Sequence, residues 1–464
     1  MKRLGRNVLS LFTADVIRRL LGFAAVAYLA RILGTSGFGV VNIGWTVLAY
    51  GLVIGAAGLP TLGVKLTAAG ERSAELPDLI GARLIVSAIV YLVIVAVALV
   101  LVDDRATSSL MIVMSLAVFA QAVWPDWYFQ GVERVAPLAA SRVLSSAVYL
   151  AVIIAMVHSV QDVLWVAAGA LAGDIVAAAY LIRQLKTAGL HFAVRVKPAI
   201  VCALLLRSFP LAAGGILAHL SINYAPLALG ALRTTSEVGV YGAASKLVFF
   251  LLVGDRIMST VLLPASARLH ARSAEELAAT LGEALRWILM ISLPVAVGAM
   301  VLAGPIIGAV FGDSYLPAIP VFRIFIWYFF FTMLHTVYTS GLIATEGLKA
   351  YGSVMLATAG LYAVTVTAGA AFAGPIGAAF GVVLSEGISL ILMRRALAGA
   401  VRLAPPKGTL GMIAAAGLMG VAVWSVAGQF ILLPLAVGIV AYPAFVLLFR
   451  TAGPADLRQF IGRF

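Results

Sequence analysis

The 464-residue chain is 63% hydrophobic and only 11% charged, with a mean hydropathy of +1.08. Soluble domains carry about 25% charged residues, so these figures exclude a soluble globular protein and make the bilayer its solvent. The net charge of +13 would raise nucleic acid as a partner for a soluble protein, but the positions of the charges, taken up below, exclude it.

A spanning helix needs roughly 20 mostly apolar residues. Such stretches run along the chain at 7–33, 37–62, 81–102, 108–131, 136–158, 163–185, 205–230, 238–264, 284–310, 318–344, 349–372, 376–397, 408–428 and 430–449. The expected fold class is an all-α polytopic membrane protein of about fourteen transmembrane helices. The first stretch is interrupted by Asp15, Arg18 and Arg19 and lacks a small-residue cleavage site, so it is expected to be retained. The longest polar segments, 65–80, 186–200 and 265–283, leave no room for a soluble domain. The single cysteine, Cys202, excludes an internal disulfide and any multi-cysteine metal site. No helix carries a His-Glu-x-x-His ligand pattern, so no cofactor or metal is expected.

Orientation follows from the Lys/Arg bias of short loops. With both termini in the cytoplasm, cytoplasmic loops collect Lys65, Arg72, Arg134, Lys186, Arg195, Lys197, Arg268, Lys349, Arg394, Arg402 and Lys407 among others, and the outer loops keep only Arg105 and Arg233. Most of the positive charge thus reports topology and attraction to anionic lipid headgroups, which removes nucleic acid as a partner.

Internal repetition marks two halves. Gly39-Val40 matches Gly239-Val240, and the same offset aligns Arg72-Ser73-Ala74-Glu75 with Arg272-Ser273-Ala274-Glu275. Asp174 and Arg183 align with Glu386 and Arg395. The expected layout is an N-terminal six-helix lobe over 1–198, a second over 199–403, and a terminal helix pair in 404–464. Both repeats begin on the same side, so their axis should run along the membrane normal.

Three segments carry a family likeness: Ala30-Arg31-Ile32-Leu33-Gly34 with Gly37-Phe38-Gly39, then Gly58-Leu59-Pro60-Thr61-Leu62-Gly63-Val64-Lys65, and Pro125-Asp126-Trp127-Tyr128-Phe129-Gln130-Gly131-Val132-Glu133-Arg134. On these the chain resembles the Wzx-like oligosaccharide and polysaccharide flippases of the multidrug/oligosaccharidyl-lipid/polysaccharide exporter superfamily. The resemblance implies two six-helix lobes around a central cavity that rocks between inward- and outward-open states. It implies an undecaprenyl-pyrophosphate-linked oligosaccharide moved from the cytoplasmic to the outer leaflet of a bacterial inner membrane, and helices 1, 7 and 8 lining the cavity. Further expected partners are membrane lipids, a polysaccharide polymerase and a chain-length regulator, around a monomeric flippase.

Charges at bilayer depth face a cavity or a partner. Asp15 lies one helical turn from both Arg18 and Arg19, so one arginine is expected to pair with it and the other to seek an anion. Helix 8 carries Lys246, Asp255 and Arg256. Arg18, Arg19, Lys246 and Arg256 are therefore the expected substrate-binding cations, since arginine grips phosphate with a planar fork and lysine acts as a point charge. The competing reading makes Arg18, Arg19 and Arg256 ion-pair partners of Asp15 and Asp255, or snorkelling side chains. Asp174 and Glu386, matched in the two halves, are read as ion-coupling sites or as interhelical hydrogen-bonding groups. Asp126 is read as an architectural corner, and His219 and His335 as packing residues.

A drug exporter of cations would present carboxylates to its cavity, whereas cations outnumber them on helices 1 and 8. A lipid II flippase stays open as an alternative substrate class. A membrane polymerase would need catalytic groups, and no nucleophile–base pair is apparent, so no enzyme is expected.

Overall fold

The structure, a computed structural model, describes the backbone of residues 2–70, 76–345 and 347–451, and the side chains within these except 2–12, 76, 211 and 213–222. The Arg72–Glu75 half of the repeat and the side chain of His219 lie outside the described residues. The chain divides into two compact units, Met1–Gly239 and Val240–Phe464. Every regular element among the described residues is helical, and the protein is an all-α, multi-pass membrane protein.

The first unit holds α1 (Lys2–Ala56), α2 (Leu59–Ala68), α3 (Leu76–Leu101), α4 (Arg105–Ser115), α5 (Ala117–Ala122), α6 (Asp126–Gly131), α7 (Val135–Met156), α8 (Val163–Thr187) and α9 (Pro198–Leu232). It ends in the first turn of α10 (Thr235–Leu251). The second unit continues with α11 (Val253–His270), α12 (Ala274–Val301), α13 (Ala303–Phe311), α14 (Ala318–Ala344), α15 (Leu348–Ala398), α16 (Thr409–Ser425) and α17 (Leu432–Leu448). Among the described residues nine helices are long and apolar enough to cross a membrane. Two of these, Thr13–Ala56 and Leu348–Ala398, have 44 and 51 residues, enough for about two crossings each.

Both long helices bend where the sequence changes. In α1 the bend is Gly34, at φ 62°, a left-handed conformation that glycine enters without the Cβ penalty. The break expected between the stretches 7–33 and 37–62 is thus a single residue, with helix resuming directly after it. In α15 the bend is Ala373-Gly374-Pro375, with Gly374 at φ 55°. Its two arms fold back on each other: Thr358 Oγ1 donates to Ser389 Oγ at 3.0 Å and Tyr362 to Glu386 Oε2 at 3.0 Å.

Other expected boundaries move for identifiable reasons. The stretch 108–131 is three short helices, interrupted at Leu116 and before Pro125. The stretch 238–264 divides at Leu252, which places Lys246 on α10 and Asp255 and Arg256 on α11. Helix α12 begins ten residues before its apolar stretch, because Ser273 accepts from the backbone N–H groups of Glu275 and Glu276 at 3.1 and 3.3 Å; this is an N-cap. Helix α9 starts at Pro198, whose fixed φ suits a first helical turn.

Two of the three familiar segments form one packing unit. Leu59, Leu62 and Leu66 of α2 join Trp127, Tyr128 and Phe129 of α6 in a buried cluster with Leu79, Ile80, Leu181 and Leu204. Gly63 lies beneath the Trp127 indole, where a Cβ would stand 2.7 Å from the ring. The apolar faces of α3, by contrast, point outward; Leu92, Leu99 and Val100 are 65–77% exposed, the surface that lipid covers in a bilayer.

The first turn of α10 crosses α1 within the first unit. A Cβ on Gly39 would fall 1.7 Å from the Thr235 carbonyl oxygen, and one on Gly239 would fall 1.9 Å from that of Thr35. The hydroxyls of Thr35 and Ser236 lie 2.8 Å apart, and those of Ser36 and Thr235 3.0 Å apart. The repeated glycines therefore meet each other, flanked by a repeated Thr-Ser pair.

Candidate functional site

Residues three and four apart on a helix meet on one face, and α1 uses this at Asp15. Arg18 donates to Asp15 Oδ1 from Nη2 and Nε at 2.9 and 3.3 Å, and Arg19 Nε donates to Oδ2 at 2.8 Å. The expectation that one arginine stays unpaired is corrected. A carboxylate offers two oxygens, and each guanidinium takes one. The trio keeps one net positive charge and stays partly accessible, with the Arg18 side chain 38% exposed.

Asp174 of α8 is 8% exposed and sits among three helices. Gln121 Nε2 of α5 donates to its Oδ2 at 2.9 Å, and Ser145 of α7 donates to its Oδ1 at 3.3 Å. The Trp124 indole N–H donates to the Asp174 backbone carbonyl at 3.1 Å. Arg83 of α3 closes this network from below: it donates to the carbonyls of Trp124 and Gln121 at 2.8 and 2.6 Å and stands 3.8 Å from Asp126. Arg83 is 7% exposed. Sequence reasoning missed it, although an arginine near the start of an apolar stretch is itself a signal. Asp126 is the first residue of α6 and faces this arginine.

The second unit has a corresponding arrangement around Glu386 of α15, which is 6% exposed. Tyr362, on the other arm of α15, donates to its Oε2, and Thr332 of α14 donates to Oε1 at 3.4 Å. His335 Nδ1 lies 3.5 Å from the same oxygen, and its Nε2 has no hydrogen-bond partner among the described residues. One turn away, Thr336 donates a short hydrogen bond to Asp255 of α11. No ion pair joins Asp255 to Arg256 among the described residues, and Arg256 is exposed. Lys246 is half-buried on α10.

The matched carboxylates thus share a design within their own units. Each is buried and held by hydroxyl or amide donors, Asp174 from α5 and α7 and Glu386 from α14 and the other arm of α15. Such an arrangement can lock helices together, and it can also hold an exchangeable proton away from water. Among the described residues no group of three or more His, Cys, Asp or Glu could hold a metal ion.

The second unit also encloses an apolar cavity of about 440 Å³ between α10, α12, α13, α14, α16 and α17. Leu302, Ile306, Phe322, Met419 and Ile439 are among its lining residues, and the Tyr442 side chain is the one polar side chain there.

A family model described as "Polysaccharide biosynthesis protein" matches residues 4–270, more than half of the chain. A comparison with curated proteins returns no match. Among solved structures, the chain is similar to the lipid II flippase MurJ in an inward closed conformation, with a TM-score of 0.76 at 15% identity, covering 95% of this chain and 99% of that one. It is also similar to an inward-facing multidrug resistance MATE family transporter of the MOP superfamily, with a TM-score of 0.65 at 15% identity, covering 82% and 95%. A third likeness is to a MOP superfamily transporter from Pyrococcus furiosus Vc1 (DSM3638), with a TM-score of 0.54 at 15% identity, covering 91% and 95%. At such identities the likeness establishes the fold.

Proposed function

Because the chain belongs to the polysaccharide biosynthesis protein family, we propose that it is a flippase for an undecaprenyl-pyrophosphate-linked oligosaccharide. It carries the repeat unit from the cytoplasmic to the outer leaflet of a bacterial inner membrane by alternating access, with both termini in the cytoplasm. It is a transporter and not an enzyme, works as a monomer, and supplies a polysaccharide polymerase and its chain-length regulator. The observation that carries this reading is the family match over residues 4–270, supported by the MurJ-like fold along the chain.

The chemistry agrees with that substrate. A pyrophosphate cannot cross hydrocarbon bare, and cations distributed along its path lower the barrier while still releasing it. Arg18 and Arg19 supply one such station and Lys246 with Arg256 another. Asp15 keeps the first station oriented, while Asp255 is held by Thr336 and is read as an ion-coupling group. Asp174 and Glu386 either couple an ion or hold each lobe together. The apolar cavity beside α16 and α17 gives a prenyl chain a surface almost without polar groups.

The extent of the likeness to MurJ supports lipid II as a second substrate class. Proteoliposomes separate the two: the oligosaccharide-linked lipid should flip at least tenfold faster than lipid II. In the same assay Arg18→Ala and Arg256→Ala are expected to slow flipping by tenfold or more, with normal membrane insertion. Full activity in both variants would remove the cationic-path reading.

A further inference from the structure

At one end of the second unit, α15 stops at Ala398 and α16 restarts at Thr409. Between them residues 399–408 wrap the mouth of a cavity of about 560 Å³, lined by Leu285, Tyr338, Arg394, Leu403, Pro406 and Leu410 among others. A smaller cavity of about 200 Å³ shares Tyr338, Arg394 and Leu403 with it and adds Arg402. Arg394 and Arg402 are both exposed. Neither makes a hydrogen bond or ion pair to a protein group among the described residues, and the Tyr338 hydroxyl lies close enough to Arg394 to feel its charge. Apart from Tyr338 and Thr409 the remaining lining side chains are apolar, and Leu410 is 84% exposed.

Two features select the ligand. Two guanidinium groups without a protein carboxylate partner among the described residues, Arg394 lining both cavities and Arg402 the smaller one, call for a phosphate, which each can grip with a planar fork. The apolar wall and the exposed Leu410 call for hydrocarbon beside that phosphate, at the depth where apolar helices end. A soluble phosphate would gain nothing from the wall, and a zwitterionic headgroup would bring an ammonium toward two arginines. We propose that these two adjoining cavities together seat the phosphodiester headgroup of an anionic membrane lipid, bound by Arg394 and Arg402. Its acyl chains leave along Leu410. The site is separate from the cations assigned to transport, and it depends on the membrane placement of the chain, not on which substrate is flipped.

Binding to the purified full-length protein in detergent tests this, with dioctanoyl phosphatidylglycerol, dioctanoyl phosphatidylcholine and inorganic phosphate as probes in native mass spectrometry and thermal shift. The anionic lipid should bind at least tenfold more tightly than the zwitterionic one. Arg394→Gln combined with Arg402→Gln should erase that preference, and Arg402→Gln alone, on the exposed segment, should reduce it about threefold or more. Lys349→Gln, a basic residue outside the cavity, should change it less than twofold. A preference that survives the double substitution overturns the site. Inorganic phosphate displacing the lipid at equal concentration overturns the lipid assignment in favour of a soluble anion. Flipping rates are not read in this experiment, so its failure leaves the transport reading intact.

Discussion

Asp104 closes the first turn of α4 with its carboxylate, accepting from the Thr107 hydroxyl and from the backbone N–H groups of Thr107 and Ala106 at 2.9 and 3.4 Å. The Thr107 hydroxyl holds its pKa below 3.8, and the two N–H groups help it outweigh the opposing effect of desolvation. A carboxyl whose folded pKa is lowered stabilises the fold above its unfolded pKa, and that contribution disappears as pH falls through the folded value. Asp104→Ala should therefore cost about 0.5–1 kcal/mol near neutral pH, the lower part of the N-cap range because the group is exposed. The difference in thermal midpoint from the native protein should close as pH drops below 3.8; a difference that persisted there would remove the charge from the account. Arg83 shows where residue-level reading runs out. Its charge was visible in the sequence, but two of its acceptors are backbone carbonyls, which every residue has, so no spacing of side chains marks them.

Among the elements, the crossing of α1 with the start of α10 is the sharpest packing constraint. Here backbone meets backbone, so nothing can rotate aside to admit a methyl group. Gly39→Ala is expected to destabilise by about 1–3 kcal/mol, as overpacking does, whereas Gly22→Ala, with no atom within 4 Å of the added Cβ, should leave the thermal midpoint unchanged or slightly raised. Equal midpoints for the two variants would contradict the crossing. The apolar stretches gave the helices because hydrocarbon solvent imposes a length and composition that one chain can report. The interruptions at Leu116, Leu252 and Leu302 each fall inside one expected stretch, so hydropathy averaged along the chain did not mark them. The matched Gly39 and Gly239 were legible as a repeat, but not as a contact, because contact depends on how two helices cross.

At the scale of the whole molecule, the repeat carries a prediction about coupling. Asp174 and Glu386 receive hydrogen bonds from different donor types, as expected where burial, and not one chemistry, is common to both positions. Asp174→Asn and Glu386→Gln keep the size of the side chain and remove its proton exchange. Both variants are expected to flip substrate within threefold of the native rate and to keep its response to an imposed proton gradient, while Asp174→Leu and Glu386→Leu lose thermal stability. A variant that stays folded yet ignores the gradient would assign its carboxylate to coupling. The helical fold could be read from hydropathy. The donor sets could not, because they assemble from helices far apart in sequence.

The carboxylate shared by Arg18 and Arg19 has a consequence for any anion that reaches them. Each guanidinium keeps N–H groups that Asp15 does not take, so an incoming phosphate binds beside a carboxylate that competes for the same two cations. Uptake is then a competition between two anions, one tethered and one mobile. The tethered one, never more than a helical turn away, can retake its partners without diffusing. Such a site turns over quickly at the expense of affinity, and its occupancy varies with the state of a single internal competitor.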